Sequence, residues 1–504
     1  MISRLLMPLV LLTAVPAHAQ DKLLHENIMA IQEALVWSGD YDGPLDGSLA
    51  GATLTALKQF QAREGAPVKG RVNSADAKRL AAISENAKRE AGWSLAIDGA
   101  SDTVLWIPHA LLPNAANGPD GRTFSSADGV ITLTLVEASG TLTDIYAATL
   151  AKPEGKIEQE KLDKTRAIIV GAEGDRGFFN FFTAAGKGTK GFTFRYPRTM
   201  AQELKPVAIA MANGLIADPG APPAKKAVRA VPNFIGTYRF EPAARPYVYG
   251  VIDVEQRGTV VAARDIAVSM SGTEPPPPPD AKPQKRRRRP ETDAPFLTNI
   301  QIFVAGEPVL DAASSTLTHF AEIRVVELDA ANAHPEVMLS VYNGGAHCCT
   351  ELTIYSARKD GSWAAIDGGS FDGSPDFPRD LDGDGVFELV NSDNAFLGAF
   401  DDYANSYAPV EIRRLSGETL TDVSADERFR LHHRVHLGEL WNWGWQHDRL
   451  ADKGFLAGFV ATARRAGQAD DALAFLVARR QSAKDDEDEP FVDRLKTFLE
   501  GQQY

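Results

Sequence analysis

The chain has 504 residues and a formal net charge of −14. This length predicts about three to four domains, and an apolar content of 44% is typical of a globular protein. Because an acidic surface is repelled by the phosphates of DNA and RNA, we expect no nucleic-acid partner.

Residues 1–19 have the layout of a secretory signal peptide. Arg4 supplies a positive charge, residues 5–15 form an apolar run, and Ala17-His18-Ala19 has the small-x-small pattern of a cleavage site. No later stretch approaches the roughly 18 unbroken apolar residues of a membrane helix. We therefore expect an exported, periplasmic protein without a transmembrane segment.

Residues 27–84 are predicted to form a compact helical bundle. An apolar helix through Ile31 and Leu35 ends at residues 38–44, where glycine and proline prevent its continuation. A second helix, Thr53 to Glu64, follows another glycine turn. A third, short helix completes the unit.

This bundle resembles the peptidoglycan-binding-like domain, a three-helix module found on cell-wall hydrolases and transpeptidases. The family's marks are a Gln-x-x-Leu helix, a Tyr-x-Gly-x-x-Asp-Gly turn, a threonine that opens the second helix, and a Phe-Gln pair near its end. The matching residues here are Gln32, Leu35, Tyr41 to Gly47, Thr53, Phe60 and Gln61. The sequence departs from the family at Leu49-Ala50, where Phe-Gly is usual.

The resemblance implies peptidoglycan as the partner of this module. We expect a shallow groove that forms hydrogen bonds with wall sugar or peptide, edged by Tyr41, Asp42, Asp46, Gly47 and Gln61. In the alternative interpretation, the aspartates and glycine only form turns.

Residues 95–216 are predicted to form an α/β sandwich. Short β-branched or aromatic runs are separated by glycine and aspartate turns, and a helix follows from Thr199 to Ile216. The segments VLWIP (104–108) and GFTFRYP (191–197) resemble strand ends of the Mog1/PsbP-like sandwich. This resemblance carries no catalytic residue across.

Residues 217–296 are predicted to be a linker with a short strand-rich piece. Its segment Glu274–Pro290 contains consecutive prolines and the basic run Lys285–Arg289, so it cannot bury a core and should be disordered. The basic run either contacts an anionic envelope polymer or is simply solvated. Residues 297–436 are predicted to be β-rich, and residues 437–504 helical.

An acidic loop in the β-rich region has the spacing of a calcium site. Oxygen ligands are expected from the side chains or carbonyls of Asp380, Asp382, Asp384, Val386 and Glu388. Because the ligands are all oxygens, Ca²⁺ is favoured over Zn²⁺. The loop resembles the calcium loops of FG-GAP and integrin-type β-repeats, and a solvated acidic turn is the alternative.

The two cysteines of the chain, Cys348 and Cys349, are adjacent. In an oxidising compartment they either form a vicinal disulfide or remain two small apolar thiols. Their number excludes a disulfide framework.

Together these features predict a multidomain α+β protein that is not an enzyme. We expect it to bind peptidoglycan through the N-terminal module and to tether its other domains to the cell wall. Two alternatives stay open: a wall hydrolase or transpeptidase with an unrecognised catalytic domain, and a calcium-dependent protein-interaction protein.

Overall fold

The computed structural model describes most of the chain. The described residues are 25–119, 121–151, 155–186, 188–217, 259–263, 266–273, 296–318, 321–344, 349–372, 378–384, 386–480 and 490–504. The predicted signal peptide, the basic run 285–289 and Cys348 lie outside them. The described residues form two compact units, one from within residues 6–240 and 430–504 and the other chiefly from within 241–429.

The first unit begins with the predicted three-helix bundle. Its helices are α1 (His25–Trp37), α2 (Ala52–Arg63) and α3 (Ser74–Ala91). The third helix is longer than the sequence suggested. It starts at a capping box, in which the Asn73 side chain accepts from the backbone N–H of Asp76 at 2.9 Å, and it ends at Gly92 with φ 59°.

The core of this N-terminal module, residues 27–84, comes from the apolar positions that the periodicity predicted. Leu35, Leu57, Phe60 and Leu80 are all almost completely buried. Burial of such side chains stabilises the bundle by roughly 1.5–3 kcal/mol each.

A hairpin and a seven-stranded antiparallel sheet follow the module. The hairpin strands are β1 (Trp93–Asp98) and β2 (Thr103–Pro108). The sheet strands are β3 (Asn114–Gly118), β4 (Gly121–Ser125), β5 (Thr132–Ser139), β6 (Lys156–Leu162), β7 (Arg166–Glu173), β8 (Arg176–Ala185) and β9 (Gly188–Pro197).

The spatial order of the sheet is β3-β4-β5-β9-β8-β7-β6. Helix α4 (Leu142–Ala151) packs on β7, β8 and β9, and α5 (Ala201–Gly214) packs on β2, β8 and β9. Phenylalanines fill the core, with the Phe192 ring centroid 6.1 Å from that of Phe179 and 5.6 Å from that of Phe181. This arrangement agrees with the predicted α/β layering.

The C-terminal helices belong to the same unit. They are α6 (Arg430–Gln446), α7 (Lys453–Arg465), α8 (Ala469–Arg480) and α9 (Phe491–Gly501). The first begins at Arg430, before the predicted boundary at 437. The Gln468 side chain joins these helices to β1, because its Oε1 accepts from the Ile97 N–H at 2.8 Å and its Nε2 donates to the Leu95 carbonyl at 2.9 Å.

The second unit consists of three antiparallel sheets. The first has β10 (Thr259–Ala263), β11 (Ile266–Thr273), β12 (Phe296–Val304) and β13 (Glu307–Thr318). The second has β14 (Ala321–Val326), β15 (Glu336–Tyr342), β16 (Thr350–Ala357) and β17 (Trp363–Phe371). The third has β18 (Leu389–Ser392), β19 (Val410–Ser416) and β20 (Thr419–Asp422).

Side chains of the second sheet are buried on both of its faces. Val337 and Leu339 join a core shared with the first sheet, whereas Met338 between them joins a core shared with the third. Alternation along a strand explains this division. Residues 259–263 and 266–273, which the sequence placed in the linker with its short strand-rich piece, form two strands of the first sheet.

The predicted multidomain α+β class is confirmed. Within the described parts of the chain, every helix is too short or too polar to span a membrane.

Candidate functional site

The buried amide of Gln32 holds the turn that the sequence singled out, residues 41–47. Its Nε2 donates to Asp46 Oδ1 at 2.7 Å and to Thr53 Oγ1 at 3.0 Å. Its Oε1 accepts from the Gly47 N–H at 2.9 Å. Gly47 has φ 68°, a conformation that favours glycine. One glutamine on α1 therefore fixes both the Asp-Gly turn and the start of α2.

Tyr41 lies inside this turn. Its side chain is buried, and its hydroxyl donates to the Pro44 carbonyl at 2.8 Å. Burial raises the pKa of the Tyr41 phenol above its ordinary value. The tyrosine therefore acts as a neutral hydrogen-bond donor that closes the turn.

Gln61, on α2, makes the same kind of contacts as Gln32 makes on α1. Its Nε2 donates to Asp76 Oδ2 at 2.8 Å and to the Arg71 carbonyl at 2.9 Å, and its Oε1 accepts from the Gly70 N–H at 3.0 Å. The side chain is fully buried. The glutamine of the Phe-Gln pair thus fixes the connection between α2 and α3.

These contacts divide the five residues predicted to bind the wall. Tyr41 and Gln61 are buried, and the N–H of Gly47 is already bonded. Asp42 and Asp46 are exposed. A peptidoglycan-contacting role for all five stays a prediction, and among the side chains only the two carboxylates are accessible in the present arrangement.

The turn also contacts α5, which the sequence did not reveal. Lys205 Nζ lies 3.1 Å from Asp42 Oδ2. Asn213 Nδ2 donates to the Gly43 carbonyl at 3.1 Å, and Asn213 Oδ1 accepts from Arg166 at 3.2 Å. One edge of the turn therefore lies in the contact between the N-terminal module and the sandwich.

A buried ion pair joins the first and third helices of the module. Lys88 Nζ lies 2.7 Å from Glu33 Oε1, and both side chains are more than nine-tenths buried. Burial raises the pKa of Glu33 to about 7, although the neighbouring Lys88 ammonium acts in the opposite direction. Burial likewise lowers the pKa of Lys88.

The acidic loop of the second unit brings three predicted ligands together. Carboxylate oxygens of Asp380, Asp382 and Asp384 all lie within 4.8 Å of one another. The loop turns because the Gly383 N–H donates to Asp380 Oδ1 at 2.7 Å and the Val386 N–H donates to Asp384 Oδ1 at 2.9 Å. Three oxygens at this separation could ligate one hard cation.

Arginine already compensates part of this negative charge. Arg414 lies 3.0 Å from Asp382, 2.9 Å from Asp384 and 2.5 Å from Glu388, measured from its Nη2 to a carboxylate oxygen. Glu388 is fully buried and also accepts from the Leu381 N–H at 2.8 Å. The Glu388 carboxylate therefore stabilises the loop from inside, through Arg414 and the Leu381 N–H. Its role as a cation ligand stays a prediction.

A second loop in this unit has the same construction. The Leu328 N–H donates to Glu336 Oε2 at 2.7 Å, as the Leu381 N–H does to Glu388, and Glu336 is also fully buried. Leucine and glutamate are separated by 8 residues here and by 7 in the acidic loop. The similarity is not visible in the sequence, because the spacing differs. In addition, Asn332 lies four residues before Glu336, where Asp384 lies four residues before Glu388.

The predicted Cys348–Cys349 bridge falls partly outside the described residues. Cys349 is disulfide-bonded, and its N–H donates to Asn343 Oδ1 at 2.9 Å. Because Cys348 is not among the described residues, the vicinal pairing itself stays a prediction.

Comparison with known proteins identifies the N-terminal module. Residues 25–80 match the family model described as "Putative peptidoglycan binding domain". The predicted resemblance is confirmed, and the module is a peptidoglycan-binding-like domain.

Two curated relatives match about 30% of the chain. An uncharacterized protein of Sinorhizobium fredii is 36% identical over 158 residues, which is 24% of its own length. A probable thylakoid lumen protein of Synechocystis is 35% identical over 159 residues, which is 45% of its own length. The chain thus spans less than half the length of either relative.

Proposed function

We propose that this protein is a non-catalytic, periplasmic peptidoglycan-binding protein whose N-terminal module tethers the other domains to the cell wall. The observation that carries the proposal is the family match over residues 25–80. The two glutamine-held turns support it, because they keep the module's surface loops in a fixed conformation. A preformed surface loses less conformational entropy when it binds.

Export to the periplasm is part of this proposal. The N-terminal charge, apolar run and cleavage pattern support it. The relative described as a thylakoid lumen protein supports it as well, since that name also denotes a compartment outside the cytoplasm.

The state of two nucleophile candidates favours binding over catalysis. Ser94 Oγ lies 2.7 Å from His109 Nδ1, but both side chains are buried and no substrate could reach them without a rearrangement. Burial also lowers the pKa of His109 well below its usual value. Cys349 is disulfide-bonded and offers no thiolate.

Co-sedimentation of the full mature chain with isolated sacculi tests wall binding. The wild-type protein is expected in the pellet. Asp42→Ala should shift part of it to the supernatant, whereas Asp128→Ala, an exposed aspartate in the turn between β4 and β5, should not. A wild-type chain that stays in the supernatant would refute the proposal.

A zymogram with purified murein tests the absence of wall-cleaving activity. The mature chain is expected to leave the murein intact. A clearing band would support the alternative, a hydrolase with an unrecognised catalytic domain.

We also propose that the acidic loop binds Ca²⁺ through Asp380, Asp382 and Asp384, together with the carbonyl of Val386. The convergence of the three carboxylates supports this. Extracellular Ca²⁺ sites work at affinities of about 10⁻⁴–10⁻³ M, so weak binding would suffice. A calcium-dependent contact with another protein would follow from the same loop, and a pull-down with and without chelator tests it.

A further inference from the structure

Four polar side chains form a row across four adjacent strands of the seven-stranded sheet. They are Thr123 on β4, Thr134 on β5, Thr193 on β9 and Asn180 on β8. Each is the direct register partner of the next, so all four lie on one face. The hydroxyl oxygens of Thr123 and Thr134 are 3.0 Å apart. We call these four residues the polar row.

The next row on this face is apolar. It contains Val136, Phe182 and Ala167, which pack against Leu142 and Ile145 of α4. The three threonines of the polar row are only half-buried. The helix therefore covers the apolar row and leaves the threonine end of the polar row accessible.

Asn180 closes the other end of the row. Its side chain is 9% exposed, and its Oδ1 is buried without a hydrogen-bond partner. Most buried amide oxygens in folded proteins accept a hydrogen bond, because an unsatisfied one destabilises the fold. A rotation of the Asn180 side chain towards the half-buried threonines would let an O–H or N–H of a ligand satisfy this oxygen.

Two further groups lie along the same line. Glu160 of β6 is the register partner of Ile169 of β7, which is in turn the partner of Asn180. Burial and the neighbouring Glu160 carboxylate raise the pKa of the Tyr146 phenol on α4, so these two side chains lie close together. The line therefore runs from the Glu160 carboxylate across the buried Ile169 to the Asn180 amide and the three threonine hydroxyls.

We propose that the polar row is a binding site for an oligosaccharide strand. Hydroxyl and amide groups, each able to donate and accept, complement sugar hydroxyl and acetamido groups. Strands lie about 4.8 Å apart, which is close to the rise of one sugar along an extended β-linked chain, so the row spans about 14 Å and three sugars. This site is separate from the module and does not rest on the function proposed for it.

Isothermal titration of the full mature chain with chitotetraose, the tetramer of N-acetylglucosamine, tests the site. Saturable binding is expected for the wild type. The double variant Thr134→Val/Thr193→Val should bind at least about tenfold more weakly, because two hydrogen bonds are lost while side-chain shape and strand propensity are kept. The control Thr183→Val, on the opposite face of β8, should bind like the wild type.

Thermal unfolding provides the second readout. Chitotetraose should raise the midpoint of the wild type and of Thr183→Val, but not that of the double variant, whose own unfolding shows that it is folded. Absence of saturation by the wild type would overturn the proposal, as would equal affinities of the double variant and the control. The module is identical in the wild type and in both variants, so binding of chitotetraose by the module cannot produce a difference between them.

Discussion

Lys205 Nζ lies 3.1 Å from Asp42 Oδ2, so the turn at residues 41–47 of the N-terminal module is linked directly to helix α5 of the sandwich. The two side chains are 49% and 50% exposed. We expect Lys205→Ala to lower the free energy of unfolding by only about 0–1 kcal/mol, because exposed ion pairs are weak.

Asn213 contributes more to the same junction, because it bridges the Gly43 carbonyl and Arg166. We expect Asn213→Ala to cost about 1–2 kcal/mol. Urea denaturation of both variants measures the difference. A larger loss for Lys205→Ala than for Asn213→Ala would contradict this view of the junction.

Replacement of Gln32 or of Gln61, the two glutamines that hold the turns of the module, should destabilise the module strongly. Gln32→Ala leaves the Gly47 N–H without its acceptor, and Gln61→Ala does the same to the Gly70 N–H. We expect losses of about 2–4 kcal/mol for each variant. Gln59→Ala, an exposed position on the same helix as Gln61, should stay within about 0.5 kcal/mol. Thermal unfolding monitored by circular dichroism compares the three.

The buried Glu33 carboxyl should make stability depend on pH. Its pKa is about 7 in the folded chain against an ordinary value of 4.5, so the folded state binds the proton more tightly than the unfolded state. Its contribution to stability is therefore complete below pH 4.5 and is lost as the pH rises towards 7.

Urea midpoints measured across this pH range give the slope. Glu33→Gln carries no titrating group at this position, so its slope should be smaller than that of the wild type, although the variant itself is less stable because Lys88 loses its counter-charge. Identical slopes for the two proteins would show that Glu33 does not titrate in this range.

Calcium should stabilise the second unit. The thermal midpoint is expected to rise with Ca²⁺ and to fall with EDTA, and Asp382→Asn/Asp384→Asn should abolish the difference. Arg414→Gln should enlarge it, since the guanidinium competes with a cation for Asp382 and Asp384. Asp329→Asn, in the second loop between Leu328 and Glu336, is the matched control and should respond like the wild type. A wild-type midpoint that does not change with EDTA would contradict calcium binding by this loop.

The sequence predicts the parts of this fold that depend on local signals. Glycine, proline and the apolar period place the end of α1 and both ends of α2 almost at their observed positions, and the β-branched and aromatic runs place β7, β8 and β9. The sequence does not predict the edge strand β6, because nearly all of its side chains are exposed and buried and exposed residues do not alternate along it. An exposed edge strand carries no hydrophobic pattern to read.

Contacts between distant residues account for what the sequence could not predict at the site. Gln61 matches the family motif, but its role becomes clear only from Gly70 and Asp76, on the connection that it holds. The contact of Asp42 with Lys205 joins residues 163 positions apart. No local pattern encodes such a pair.

The Gln468 amide has a consequence for how the whole polypeptide must be made. It occupies hydrogen-bonding positions along β1 although it is 373 residues away from Leu95. During synthesis, the hairpin next to the N-terminal module emerges long before this partner does, and its hydrogen bonding stays incomplete until residue 468 has been made. Premature termination before residue 468 would therefore leave the Ile97 N–H and the Leu95 carbonyl without this partner, although β1 itself had been made.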